Sequence, residues 1–177
     1  MLEGEKVILR PLENEDINSF YLWRNDKEIK VLSLMHPFPV TLESEKKWFE
    51  KTAISNVNNN IFFSIISKRS NKLAGYIKLY NISWIHRHCY LGIIIGEKSE
   101  QGKGIGEESI KLINDYAFNY LNLFKITLEV ASYNQKAIQL YNKLGFLKEG
   151  ELIKHVCIQG VWHNVIIMSL FNKTIFG

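Results

Sequence analysis

The chain has 177 residues, of which 46% are hydrophobic and 23% are charged, and its formal net charge is +4. This length predicts one domain, residues 1–177, with a sizeable core, and the mild charge, spread without a basic block, argues against a nucleic-acid partner. No apolar run reaches the ~18 residues of a membrane span, which argues against a membrane partner, and two distant cysteines, Cys89 and Cys157, argue against a metal site and favour the cytoplasm.

The first third of the chain predicts one strand followed by two helices. Lys6–Leu12 alternates its apolar side chains in a β-rich run and predicts a strand. Asn14 is a suitable N-cap, and the apolar residues that follow it at helical spacing predict a first helix. Two prolines in Leu32–Val40 predict a loop, after which Thr41 caps a second helix.

The middle of the chain predicts three consecutive strands and a long helix. Ile61–Ser67 and Leu73–Trp84 are joined by a polar turn and predict a hairpin. His88–Gly96 predicts a third antiparallel strand. Apolar residues then recur at helical spacing, which predicts a helix from about Gly104 to Leu121.

The last part of the chain predicts a strand, a helix and two more strands. The strand is Phe124–Ala131, and the helix after it is capped by Asn134 and ended by Gly145, a typical residue just beyond a helix. The final predicted strands are Phe146–Ile158 and Val165–Phe171. This order of elements indicates an α/β chain, of the α+β kind, built around one central sheet.

A glycine-rich stretch, SEQGKGIGEES (Ser99–Ser109), separates an apolar strand from the long helix. It matches neither the P-loop, which needs a Ser or Thr after its Gly-Lys pair, nor the Rossmann fingerprint, whose third glycine is here Glu107. The pattern that remains is Q-x-x-G-x-G, formed by Gln101, Gly104 and Gly106. Such glycines let backbone N–H groups converge on an anion at a helix start. These residues alone leave two interpretations open, an anion cradle and a flexible turn.

A second motif, NQKAIQLYNKLGF, follows further along the chain. Its residues match the pattern N-x-x-A-x-x-x-Y-x-K-x-G-F at Asn134, Ala137, Tyr141, Lys143, Gly145 and Phe146. The two motifs together, in this order, resemble the signatures of the GNAT family of N-acetyltransferases. The opening LRPLENEDI and the closing GELIKHVCIQGVWHNVIIM resemble the branch that includes ribosomal-protein N-terminal acetyltransferases and spermidine N-acetyltransferases.

This resemblance implies a GNAT-like fold and an acetyl-CoA donor. The implied fold is a central mixed, mostly antiparallel twisted sheet with one splayed parallel pair, flanked by about four helices. The pyrophosphate of acetyl-CoA would lie on the glycine-rich stretch, and its pantetheine arm would pair with the preceding strand. The residues that the resemblance assigns to the donor are Ile93, Ile94, Ile95, Gln101, Gly102, Lys103, Gly104, Ile105, Gly106, Glu107, Asn134 and Lys143.

Tyr141 is the residue to which the resemblance assigns general-acid catalysis. A phenol with a pKa near 10 is protonated at neutral pH, and it can protonate a leaving thiolate whose pKa is about 8.5. Packing against its own helix face is the alternative that the spacing leaves open. Several relatives carry a basic Glu where this chain has Tyr90. The general base therefore stays open among a water relay, His86, His88 and a Glu of the second helix.

The acceptor is expected to bind over the first two helices and the loop between them, where acidic residues are frequent. That composition favours a polyamine such as spermidine, and it leaves open an amino sugar or a ribosomal-protein N-terminus. A non-catalytic acetyl-CoA sensor is the alternative from another class of protein. The candidate acceptor-binding residues are Trp23, Glu43, His86 and Tyr90. Family members are often oligomers, so the resemblance also implies a homo-oligomer.

Overall fold

Eight strands of the described chain form one sheet; the computed structural model describes residues 1–54 and 59–173. In chain order the strands are β1 (Leu2–Glu3), β2 (Val7–Arg10), β3 (Ile61–Ser67), β4 (Lys72–Ser83), β5 (His88–Ile95), β6 (Lys125–Ala131), β7 (Leu147–Ile158) and β8 (Val161–Phe171). The α-helices are α1 (Ile17–Asn25), α2 (Lys27–Leu32), α3 (Leu42–Phe49), α4 (Ile105–Asp115) and α5 (Gln135–Lys143). No helix of the described residues is long and apolar enough to cross a membrane.

The strand order across the sheet is β1-β2-β3-β4-β5-β6-β8-β7, and β5–β6 is its parallel pair. This arrangement confirms the predicted mixed, mostly antiparallel sheet. Parallel pairing joins His88–Tyr90 of β5 to Lys125–Thr127 of β6. From Leu91 onward β5 continues beside β4, and from Leu128 onward β6 continues beside β8. The two central strands therefore splay apart halfway along their length, as the resemblance implied.

The residues that follow the first predicted helix form a further helix, α2, which was not predicted from the sequence. Asp26 has an extended backbone (φ −70°, ψ 125°) that ends α1, and its carboxylate accepts a hydrogen bond of 3.0 Å from Ile29 N to cap α2. The described chain therefore has five α-helices instead of about four. Strand β8 also begins earlier than predicted, at Val161, because left-handed backbone at Gln159 and Gly160 forms a tight hairpin turn.

The two faces of the sheet bury different clusters of side chains. On one face, α4 and α5 cover a large apolar core that includes Ile77, Ile110 and Met168. On the other face, α1 and α3 cover an aromatic cluster centred on Phe20, whose ring lies 5.2 Å from that of Tyr76. Successive residues of β4 alternate between these faces, as expected for a strand. The gap between β5 and β6 therefore connects the two faces of the sheet.

Two buried or half-buried carboxylates attach the site-bearing helices to the sheet edge. Asp16, before α1, accepts hydrogen bonds from Arg10 (2.7 and 2.8 Å) and from Ser64 Oγ (2.6 Å). Glu108, in the first turns of α4, accepts from the backbone N–H groups of Lys6 (2.7 Å) and Val7 (2.8 Å). Charge-assisted bonds of this kind are strong and directional, so both helices have a defined position at the splay.

Candidate active site

A cavity of about 440 Å³ lies at the splay, on the side of α4 and α5. One wall is the end of β5, where Ile93, Ile94 and Ile95 face the opening. The remaining lining residues come from the glycine-rich stretch, the first turn of α4, one side of α5, and α2. They include Ile29, Leu32, Gln101, Gly102, Gly104, Ile105, Gly106, Glu107, Asn134, Ala137, Leu140 and Tyr141. The structure thus brings both sequence motifs to one cavity.

The glycine-rich stretch turns sharply into α4. Gly104 stands at the N-cap with φ +82°, and Gly102 has φ +74°, a backbone region that side chains rarely adopt. Gln101 Nε2 donates to Ile95 O at 2.9 Å and ties this stretch to β5. The first N–H groups of a helix have no partner within the helix, so the start of α4 suits an anion. A cation is also close, since the position of a Gly104 Cβ would lie 2.8 Å from Lys6 Nζ.

Charged side chains at the rim of this cavity bond to other parts of the protein. Glu107 accepts from Lys111 (2.8 Å) and from Lys143 (2.7 Å), and these hydrogen bonds lower the pKa of Glu107 to about 2. Lys103 donates to the backbone oxygen of Ser99. Lys103 and Lys143 are therefore engaged with the protein beside the cavity and do not line it.

A second cavity, of about 310 Å³, lies on the side of α1 and α3. Its walls are aromatic and charged: Arg24, Trp48, Phe62, Tyr76, Lys78, Tyr80 and Glu129. Both cavities share the residues at the splay, which are Leu32, Ser33, Ile93, Ile94, Asn134 and Tyr141. The two spaces therefore meet at one point, where two bound molecules could touch.

Tyr141 and Asn134 stand at this meeting point. Burial raises the pKa of Tyr141 to about 12, so its hydroxyl keeps its proton at neutral pH. Asn134 Oδ1 accepts from Ala137 N at 3.2 Å and caps α5, while its Nδ2 donates to Leu32 O at 3.2 Å. A second tie joins Tyr133 Oη to Val31 O at 2.5 Å. These bonds hold the end of α2 over the meeting point.

Arg24 and Glu45 form an ion pair beneath the second cavity. Arg24 NH1 lies 3.2 Å from Glu45 Oε2, and the guanidinium carbon lies 4.7 Å from the centre of the Trp48 ring. Glu45 is fully buried, and this desolvation raises its pKa, whereas Arg24 acts in the opposite direction. The opposite charges of Arg24 and Glu45 therefore offset each other beneath the Trp48 ring.

The structure places the four predicted acceptor-binding residues outside the lining of both cavities. Trp23 is packed in the aromatic cluster against Phe20, and exposed Glu43 pairs with Lys47 at 2.7 Å. His86, in the β4–β5 turn, stacks on His88 at the start of β5, and the ring of Tyr90 lies 5.5 Å from that of Tyr80. The side chains that do line the second cavity, among them Trp48, Lys78 and Glu129, were missed. One indication of this cavity is present in the sequence, which is the charged Lys78 in the middle of the largely apolar strand Leu73–Trp84.

These features define the class of the protein: a group-transfer enzyme with two ligand sites that meet in a splayed sheet. The model of the acetyltransferase (GNAT) domain matches residues 6–147. The chain belongs to the GNAT family of acetyltransferases.

Its similar proteins include polyamine-modifying members of that family. Spermidine N(1)-acetyltransferase of Escherichia coli (strain K12) is 32% identical over 97% of this chain and 89% of the relative. A crystal structure of spermidine N-acetyltransferase from Vibrio cholerae in complex with CoA and spermine is 30% identical, covers 98% of this chain and 100% of the other, and superimposes with a TM-score of 0.89. A dodecameric structure of the Vibrio cholerae spermidine N-acetyltransferase, 29% identical over 98% of each chain, has a TM-score of 0.82.

The tight contact between Gly96 and Trp23 gives a first prediction. A Cβ at Gly96 would lie 2.0 Å from the Trp23 ring, so Gly96→Ala must displace α1 from the end of β5. Overpacking of this kind costs about 1–3 kcal/mol. Urea unfolding should show that loss for Gly96→Ala. Gly150→Ala, where no atom lies within 4 Å, is the matched control and should be near neutral. Equal stability of the two variants would contradict the packing of Trp23.

Proposed function

We propose that this chain is an acetyl-CoA-dependent N-acetyltransferase whose acceptor is a polyamine. The observation that carries the proposal is the meeting of two cavities at Tyr141, one with an anion cradle and one with aromatic walls and a carboxylate. The activity of the similar proteins, which are spermidine N-acetyltransferases, supports the choice of acceptor.

The cavity of 440 Å³ suits the donor. The pyrophosphate of acetyl-CoA would accept hydrogen bonds from the first turn of α4, with Gly104 leaving space for its approach. The pantetheine arm would lie along Ile93–Ile95, where β5 has diverged from β6, and pair with the backbone as an added strand does. The thioester would then reach the splay beside Tyr141 and Asn134.

The cavity of 310 Å³ suits an aliphatic chain that carries ammonium groups. Trp48, Phe62 and Tyr80 provide aromatic faces, which attract cations and pack against methylene groups. Glu129 supplies a carboxylate on the β6 side, and Glu45 balances the charge of Arg24. The carboxylate of Glu129 also affects Tyr80: burial raises the pKa of Tyr80, and the negative charge of Glu129 raises it further. A polyamine would thus find apolar and anionic contacts together.

Transfer requires attack of a neutral amine nitrogen on the thioester carbon. The carbonyl oxygen becomes an oxyanion, which a backbone N–H of β5 near Ile94 would stabilise. When the C–S bond breaks, the thiolate needs a proton, and we assign its donation to the Tyr141 hydroxyl, which is protonated at neutral pH.

The assembly and the location of the chain belong to the same proposal. We propose a homo-oligomer, since the hairpin end of β7 and β8 exposes Ile153, Val161 and Trp162 and a similar protein is dodecameric. We propose a cytoplasmic location, with which two unpaired cysteines, Cys89 and Cys157, agree.

An acceptor screen with acetyl-CoA tests the function directly. Release of free thiol should be fastest with spermidine or spermine, and slower with UDP-amino sugars and peptides that have a free N-terminus. Preference for an amino sugar or a peptide would contradict the polyamine acceptor. Binding of acetyl-CoA without turnover of any amine would instead identify a sensor.

Tyr141→Phe tests the general acid. This variant keeps the ring, which lies 5.8 Å from that of Phe146, and removes the proton donor. We expect kcat to fall about 10²–10⁴-fold, the usual contribution of general acid catalysis, with little change in the KM for acetyl-CoA. Tyr120→Phe, at an exposed position, is the control. A wild-type kcat for Tyr141→Phe would exclude the role.

Gly104→Val tests the anion cradle. Both Gly104 and the distant Gly160 have φ +82°, so a valine strains the backbone equally at the two positions. Only at Gly104 would the side chain stand where the pyrophosphate approaches. Calorimetry should show at least about tenfold weaker CoA binding for Gly104→Val, which is about 1.4 kcal/mol. Gly160→Val should bind CoA as the wild type does. Equal affinities of the two variants would contradict the cradle.

A further inference from the structure

Lys78 occupies an unusual position in the middle of β4. It pairs with Gly92 of β5, on the face of the sheet that carries Tyr76 and Tyr80. The aliphatic part of Lys78 crosses directly over Gly92, because a Cβ at Gly92 would lie 2.8 Å from Lys78 Cε. The absent side chain at Gly92 therefore makes room for Lys78 next to Ile93, which lines both cavities.

The amine of Lys78 lies among aromatic rings. Its Nζ is 4.5 Å from the centre of the Tyr80 ring and 5.8 Å from that of Phe62. No ion pair joins it to a carboxylate of the residues that the structure describes. The titratable and charged groups on the elements around it are Arg24 and Glu45 of the buried pair, Lys51, Tyr76, Tyr80, Tyr90, Glu129 and Tyr141.

This environment disfavours the charged form of Lys78. Burial lowers the pKa of Lys78, and the positive charge of Arg24 lowers it further. The cationic side chains Arg24 and Lys78 line the second cavity. The carboxylate of Glu45 neutralises the charge of Arg24. When Lys78 is neutral, the negative charge of Glu129 is the net charge of the cavity lining, and it attracts a cationic acceptor. A protonated Lys78 would repel that acceptor.

The reaction itself needs a base at this place. An alkyl ammonium with a pKa of about 10.4 must lose a proton before it can attack, and at pH 7 only about one molecule in 2,500 has done so. Glu129 is exposed to water and suits the role of a counter-ion to the distal ammonium groups. Lys78 is half-buried and lies beside the splay, where the reacting amine must arrive.

We propose that the amine of Lys78 is the general base that takes a proton from the acceptor ammonium; this role rests on the function proposed above. The proton moves from the acceptor nitrogen to Lys78 Nζ, and the freed electron pair forms the N–C bond. The C–S bond breaks, Tyr141 protonates the thiolate, and the amide nitrogen returns a proton through water to Tyr141. Lys78 then releases its proton to solvent. The sum is ammonium plus acetyl-CoA giving amide, CoA thiol and one proton.

The test compares Lys78→Met and Lys78→Arg with the wild type. The rate constant kcat/KM is measured between pH 6 and pH 10, with spermidine or with whichever amine the acceptor screen finds best. We expect both variants to be about 10²–10⁴-fold slower at pH 7. Their rates should rise about tenfold per pH unit up to the pKa of the acceptor, whereas the wild-type rate should level off earlier. Lys72→Met, at the exposed start of β4, should match the wild type.

A tertiary amine in the buffer provides a second readout. Trimethylamine accepts a proton but forms no stable amide, so it should raise the rate of Lys78→Met and leave the wild-type rate unchanged. In the cofactor-free protein, NMR titration of the Lys78 side chain, assigned with Lys78→Arg, should give a midpoint below the usual lysine value of about 10.4. Thermal melts of both variants establish that they fold.

Each contrary outcome has a separate meaning. A wild-type pH profile for Lys78→Met would exclude Lys78 as the base and leave the polyamine acceptor intact. Activity kept by Lys78→Arg and lost by Lys78→Met would make Lys78 a fixed cation, as would an unshifted NMR midpoint. A wild type that turns over an amino sugar or a peptide, but no polyamine, would overturn the acceptor and leave the base to be judged on that substrate. A wild type without any acceptor would overturn both proposals.

Discussion

The parallel pairing of β5 and β6 stops after three residues of each strand, and both cavities depend on that stop. Beyond it the strands keep their antiparallel partners, β4 and β8, so the sheet stays intact while its centre opens. Backbone groups along the inner edge of β5 are then left to bond a ligand or water. Because α5 packs beside the opening, Tyr141 reaches the space on both sides of the sheet.

Several charged side chains around this opening are compensated within the protein. Arg24 and Glu45 neutralise one another under Trp48, and Glu107 is held between two lysines at the rim of the other cavity. Tyr141 keeps its proton because burial disfavours the phenolate. Burial likewise favours the neutral amine of Lys78, which pairs with no carboxylate in the described part of the chain. Burial in this environment thus favours the neutral form of both side chains, the phenol of Tyr141 and the amine of Lys78.

The sequence predicted the features that depend on residues close together along the chain. The glycine stretch, the helix that Asn134 caps and most strand positions follow from local backbone preferences, and the structure brings them together as the family resemblance implied. The acceptor side depends on which face of α1 and α3 turns inward. Trp23 and Trp48 look alike in the sequence, yet Trp23 packs in the aromatic cluster and Trp48 lines the cavity. The role of Gly92 beside Lys78 is likewise visible only across the β4–β5 pair.

That pair has a consequence for how the site can change over evolutionary time. The long side chain at position 78 fills the volume that a side chain at position 92 would need, so a substitution of Gly92 must move the flexible end of Lys78. A lineage that acquires a side chain at Gly92 must first shorten or redirect Lys78, and a lineage that replaces Lys78 leaves a groove that another acceptor could fill. Side chains at positions 78 and 92 therefore compete for one volume beside the second cavity, and the size of one limits the size of the other.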